Sequence, residues 1–166
     1  HIPGRFDKIL DIETCFLQSD PSNQIRNTVR EYAITQNLDF FNLISQKGFL
    51  RNLIIRLASP SELMVIVVFA RDEPAQIINM LEYVKTQFPS ISSLQYIINT
   101  KKNDTIYDQD VILYSGRDHI FEQMEELKFK ISAKSFYQTN SNQAYNLYKK
   151  VRNYADLQGD ELVYDL

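Results

Sequence analysis

A chain of 166 residues, 44% hydrophobic and 23% charged, can bury a core of its own, and its net charge of -3 excludes the strongly basic balance of a dedicated nucleic-acid-binding domain. A single cysteine, Cys15, excludes an intrachain disulfide and fits a reducing cytoplasm; with two histidines far away in sequence it cannot build a closed zinc site. The longest wholly apolar run, residues 63–70, falls well short of the roughly 18 residues that a membrane helix needs, so no membrane partner is expected.

No secretory signal or transit peptide is visible, and His1 is not a native start, so the N-terminus is expected to be cut. Residues 8–12 (KILDI) read as a short strand. Ser19, Asp20 and Pro21 then offer an N-cap and a first-turn proline for an amphipathic helix carrying Ile25, Val29, Tyr32 and Ala33 on one face. After Gly48, residues 50–58 alternate Leu53, Ile55 and Leu57 against Asn52, Ile54 and Arg56, the pattern of a half-buried strand. A Ser-Pro-Ser turn leads to LMVIVVFA, which predicts a central strand covered on both faces and paired with its predecessor as a hairpin.

Asp72 and Pro74 open a second helix with Ile77, Leu81, Val84 and Phe88 on one face, closed by Pro89. Residues 93–99 alternate Leu94, Tyr96 and Ile98. The order to residue 99 is therefore βαββαβ, an α+β fold of the ferredoxin-like, split-βαβ kind with two helices on one face of an antiparallel sheet. The polar run 101–109 reads as a loop, and residues 111–115, 120–124 and 129–131 as further strands that extend or cap the sheet. A third helix follows, with Asn140 or Ser141 as N-cap and Gly159 as its stop. Residues 162–166 then form an apolar strand ending in Asp165-Leu166. Such a strand after a Gly-Asp turn commonly opens a Rossmann-type unit whose glycine-rich loop would come next. The chain is expected to be a piece of a longer protein, cut where a cofactor domain begins: residues 1–132 a central α+β domain, residues 133–166 the first helix and strand of the next.

Motifs that carry chemistry are few. Cys15 reads as a small buried hydrophobe before it reads as a ligand. His119 reads as a surface turn residue, and Lys101, Lys102, Lys149, Lys150 and Arg152 as solvated faces. Tyr145, Tyr148 and Tyr154 stand at helical spacings and read as packing residues. The exception is residues 135–140, SFYQTN. In an extended backbone Phe136 and Gln138 point to one side, Tyr137 to the other. An aromatic face can stack on a nucleobase, and an amide, with two donors and an acceptor, can read its edge.

The segment SAKSFYQTNSNQAYNLYKKVRNYADLQGDELVYDL closely resembles the junction between the central and catalytic domains of the RNA (uracil-5-)-methyltransferases. Phe136, Gln138 and Asn140 match the family's F-x-Q-x-N, and Asp165 and Leu166 its D-L before a glycine loop. ILDIETC is similar to the family's I-V-D-x-x-x-C, and GFLRNLIIR to a core hairpin strand.

The resemblance implies an S-adenosylmethionine-dependent enzyme that methylates uracil C5 in RNA, ribosomal RNA being the expected class. A Cys thiolate adds to C6, the enolate takes the methyl group, and a carboxylate removes the C5 proton. Neither that Cys nor that base lies in these 166 residues, so no catalytic residue is expected here. The segment would hold RNA and wall the active-site cleft. The resemblance further implies Phe136 and Gln138 as substrate-binding residues and Gln138 and Asp165 as cofactor-binding ones. It makes Cys15 one ligand of a [4Fe-4S] cluster in those members that carry one. An alternative reading is a stand-alone ferredoxin-like module for a small ligand or protein.

Overall fold

The computed structural model describes residues 2–4, 9–58 and 61–164. Ile25, Val29 and Ala33 recur at four-residue spacing and are buried on one face of helix α1 (Ser22–Thr35). Pro21 occupies the N-cap position, and neither Ser19 nor Asp20 caps the helix through its side chain. Pro74 stands in the first turn of α2 (Pro74–Gln87), where it sacrifices no intrahelical donor, and Ile77, Met80, Leu81 and Val84 form its buried face.

Strands β1 (Leu50–Ala58), β2 (Glu62–Phe69), β3 (Ser93–Ile98) and β4 (Ile112–Gly116) form one sheet in the order β1-β2-β3-β4. The expected hairpin is present: β1 and β2 pair antiparallel, Ile54 opposite Ile66. β2 and β3 pair parallel, across the α2 crossover, and β3 pairs antiparallel with β4.

This mixed sheet corrects the ferredoxin-like, all-antiparallel expectation. Residues 9–12 form no strand and are exposed. The mixed order follows from the crossover. The crossover through α2 lays β3 directly along β2, β1 takes the other edge of β2, and β4 takes the free edge of β3, so the interior strands offer no vacant edge.

β2 is covered on both faces, as its unbroken apolar run predicts. Leu63, Val65, Val67 and Phe69 point to the α1–α2 layer, together with Leu94 and Phe49. Met64, Ile66 and Val68 point the other way, to a hairpin made by β5 (His119–Met124) and β6 (Leu127–Ser132), which contributes Ile120 and Ile131. Each such fully buried aliphatic side chain contributes roughly 1.5–3 kcal/mol. Gly116 closes β4 against the β3 entry: with φ at 81°, any Cβ there would stand 2.2 Å from the Ser92 carbonyl oxygen, which accepts from Arg117 N at 3.0 Å.

Helix α3 (Ser141–Ala155) starts where expected, Asn140 Oδ1 accepting from Gln143 N at 3.0 Å. It stops earlier than Gly159, at Asp156 in the left-handed region with φ 47°. Residues 162–164 are exposed and form no strand, and Asp165 and Leu166 lie outside the described residues, so the expected Rossmann strand is not formed over its described part. The helix tyrosines do not form a packing stripe: Tyr145 donates to Glu125, while Tyr148 and Tyr154 are exposed.

Candidate functional site

The hairpin, β1 and the segment leading into α3 enclose an open cleft of about 650 Å³, whose far wall is the irregular stretch from Leu17 to Asp20. β6 delivers the chain to this cleft and then turns sharply, Ser132 N and Oγ both meeting Ser135 Oγ, at 3.0 and 2.9 Å. Arg56 reaches across from β1 and donates from Nη1 to the Ser135 carbonyl at 2.7 Å. Burial lowers the pKa of that guanidinium from its ordinary value.

From this anchor residues 135–138 run without regular secondary structure. Tyr137 turns inward and packs beside Ile131 and Ala133, its ring 5.7 Å from that of Phe129. Its hydroxyl is buried beside Ser141 and Glu122 without a hydrogen bond of regular geometry; burial first, and the Glu122 charge second, push its pKa up. Phe136 points outward and is 80% exposed, unusual for a phenylalanine flanked by ordered neighbours. Gln138 is exposed at the cleft rim. The expected opposition of Phe136 and Tyr137 is observed, one ring exposed and the other packed inward, whereas Gln138 does not share a side with Phe136 alone: it lines the cleft together with Tyr137, and Phe136 does not.

Sequence reasoning passed over the cleft's polar floor. Glu122 is only 2% exposed and accepts from Ser141 Oγ at 2.8 Å and Gln123 N at 3.2 Å. The signal was available: Ile120, Glu122 and Met124 share one side of a strand, so an acid stands where alternation asks for an apolar residue. Arg56 sits likewise in register with Ile54. Among the described residues there is no cluster of His, Cys, Asp and Glu able to hold a metal.

Cys15 lies elsewhere. It is a half-buried free thiol on the N-terminal segment, whose backbone is bracketed by Asn23: Cys15 N donates to Oδ1 at 2.8 Å and its carbonyl accepts from Nδ2 at 3.2 Å. Arg26 and Asn27 hold the preceding turn through the Glu13 carbonyl. Four thiolates make an iron-sulfur site and this chain has one cysteine, so these residues do not by themselves fit a cluster. Asp165 is outside the described residues. His119 is no isolated surface residue: it pairs with Asp118 and meets the Phe121 ring edge-on at 4.8 Å between centroids. No helix among the described residues is long and apolar enough to cross a membrane.

No protein-family model matches the chain. Its whole length aligns with an uncharacterized RNA methyltransferase of Bacteroides thetaiotaomicron at 57% identity and with one of Porphyromonas gingivalis at 56%, covering 37% and 36% of those proteins. A counterpart in Chlorobaculum tepidum is 33% identical across the whole chain and 35% of its own length. Among solved structures, the Pyrococcus abyssi tRNA (uracil-54, C5)-methyltransferase in complex with S-adenosyl-L-homocysteine superposes with a TM-score of 0.73 at 26% identity, over 90% of this chain and 36% of that one. The chain thus spans little more than a third of the length of each of these longer proteins, matched by sequence in some and by fold in another, and it belongs to the RNA uracil methyltransferase family.

Proposed function

We propose that the protein to which these residues belong transfers a methyl group from S-adenosylmethionine to C5 of a uridine in ribosomal RNA, and that this segment binds the substrate and forms one wall of the active site. The observation that carries the reading is Phe136. A large aromatic ring left 80% exposed, one residue before an inward-packed tyrosine and two before a rim glutamine, has no packing role in the fold and suits the face of an extruded base. Chemistry at C5 requires the base out of its stack, and the extrusion cost of a few kcal/mol is offset by such a platform. Gln138 then orients the base or the methyl donor, with Asp165 beside the donor.

The methyl donor would supply an electrophilic methyl group; the residues present do the holding. Residues 1–132 would be the central domain and residues 133–166 the start of the methyltransferase domain, the catalytic thiolate and base lying in other parts of the longer protein. Cys15 would supply one of four thiolates if the protein carries a [4Fe-4S] cluster. A cytoplasmic setting agrees with the lone thiol. The alternative of a stand-alone module has less support, because the three relatives that align along the whole of this chain are named RNA methyltransferases and are each nearly three times its length.

Single-turnover methyl transfer by the full-length protein on ribosomal RNA and on tRNA, with C5-methyluridine read by nucleoside mass spectrometry, tests the proposal. Methylation of ribosomal RNA supports it. Transfer to tRNA alone replaces the substrate class, and no C5-methyluridine in either RNA overturns the activity.

A further inference from the structure

The outward face of the β5–β6 hairpin is built from alternate residues: His119 opposite Ser132, Phe121 opposite Lys130, Gln123 opposite Lys128. At its centre Phe121 gathers positive charge. The Lys128 ammonium lies over the ring at 4.0 Å from its centroid, and the Arg117 guanidinium stands at 5.7 Å. The ring's negative face offsets the repulsion that would otherwise spread these cations apart.

Two carboxylates oppose them, each engaged. Glu62 pairs with Arg117 at 2.8 Å and accepts from Phe121 N at 2.8 Å, and Asp118 pairs with His119. At the tip Glu125 is turned to α3, where Arg152 and Tyr145 hold it, and Glu126 stands beside it in the turn. Lys128 and Lys130 have no ion pair among the described residues, in a chain whose net charge is -3. β6 also leads straight to the exposed ring: Lys130 is six residues from Phe136, at most about 20 Å of extended chain.

We propose that this face, with Lys128 and Arg117 at the Phe121 ring and Lys130 opposite it on β6, binds the phosphodiester backbone of the RNA a few nucleotides from the target base. The inference rests on the RNA methyltransferase reading and adds a contact outside the Phe136 and Gln138 ledge. One lysine ammonium held over the ring and a second lysine across the ladder from it supply point charges for phosphates without reading sequence. Binding should therefore be salt-dependent and tolerant of sequence.

The test is fluorescence anisotropy of the full-length protein with a labelled single-stranded RNA of about a dozen nucleotides containing uridine, titrated between about 50 and 200 mM salt. Lys128→Ala/Lys130→Ala should weaken binding about fivefold or more and reduce the log–log salt slope by roughly 1.4, about 0.7 for each lost phosphate contact. Phe121→Leu, which keeps apolar bulk but removes the ring face, should lose about two- to fivefold. The charge-matched control Lys102→Ala/Lys150→Ala, on exposed positions elsewhere, should bind like wild type. If wild type binds and methylates RNA but the hairpin variant keeps its affinity and slope, or the control loses as much, the hairpin assignment is overturned while the enzymatic reading stands. If wild type neither binds nor methylates RNA, both fall together.

Discussion

Ser141, the first residue of α3, donates its hydroxyl to the buried Glu122 on β5 at 2.8 Å, and this bond fastens the helix start to the hairpin beneath the cleft. Removing the donor deprives a buried carboxylate of a partner. Ser141→Ala should lower unfolding free energy by about 1–2 kcal/mol, with Ser141→Thr closer to wild type. Urea unfolding of both variants checks it, and an alanine variant as stable as wild type shows that the bond holds nothing.

Phe136 and Tyr137 should separate stability from activity. Phe136→Ala removes an exposed ring and should change stability by no more than about 0.5 kcal/mol, yet lower single-turnover methyl transfer by the full-length protein roughly 5- to 150-fold, the equivalent of about 1–3 kcal/mol of lost stacking. Tyr137→Ala should do the reverse, costing about 2 kcal/mol or more of stability through its lost packing. Thermal melts beside transfer rates decide it; a melting drop for Phe136→Ala with normal chemistry would make that ring structural.

The pH dependence of α3 docking follows from Glu125. Its hydrogen bonds with Arg152 first, and with Tyr145, hold its pKa down to about 2, below an ordinary value of 4.5. A carboxyl depressed in the folded state stabilises it fully above the ordinary value and loses that contribution as pH falls from about 4.5 towards 2. The pair is exposed, so the effect is small. Melting temperature of wild type should exceed that of Glu125→Gln at pH 6, and the two should converge as pH approaches 2. A constant difference across that window contradicts the assignment.

Arg51 should be the least replaceable surface arginine. Its guanidinium reaches the carbonyls of Asn99, Lys101, Lys102 and Asn103 and lies over the Phe41 ring at 4.3 Å, tying the loop after β3 to β1. A lysine cannot reproduce this fork. Arg51→Lys should therefore cost about 1.5–3 kcal/mol, on the scale of hydrogen bonds to a charged group. Amide hydrogen exchange should quicken over residues 99–105, and unchanged protection there refutes the clamp.

What the sequence determined by itself is what short-range periodicity encodes. The i, i+4 stripe of Ile25, Val29 and Ala33 sets α1, Pro74 opens α2, the unbroken apolar run of β2 announces burial on both faces, and Asn140 caps α3, because each signal acts within one or two turns of its own chain. That Phe136 and Tyr137 face opposite sides was legible for the same reason, through simple alternation, whereas which of the two turns to the core was decided by packing. Tertiary structure alone decided which edges pair. Residues 8–12 carry a strand-like pattern, but over residues 9–12 no strand forms, and the neighbours of β2 and β3 are supplied by β1, β3 and β4 instead. The polar floor of the cleft was likewise invisible as a site: Arg56, Glu122 and Ser141 are far apart in sequence, and only packing the hairpin across the sheet brings them to one cleft, where low solvent access makes the bonds from Arg56 to the Ser135 carbonyl and from Ser141 to Glu122 count.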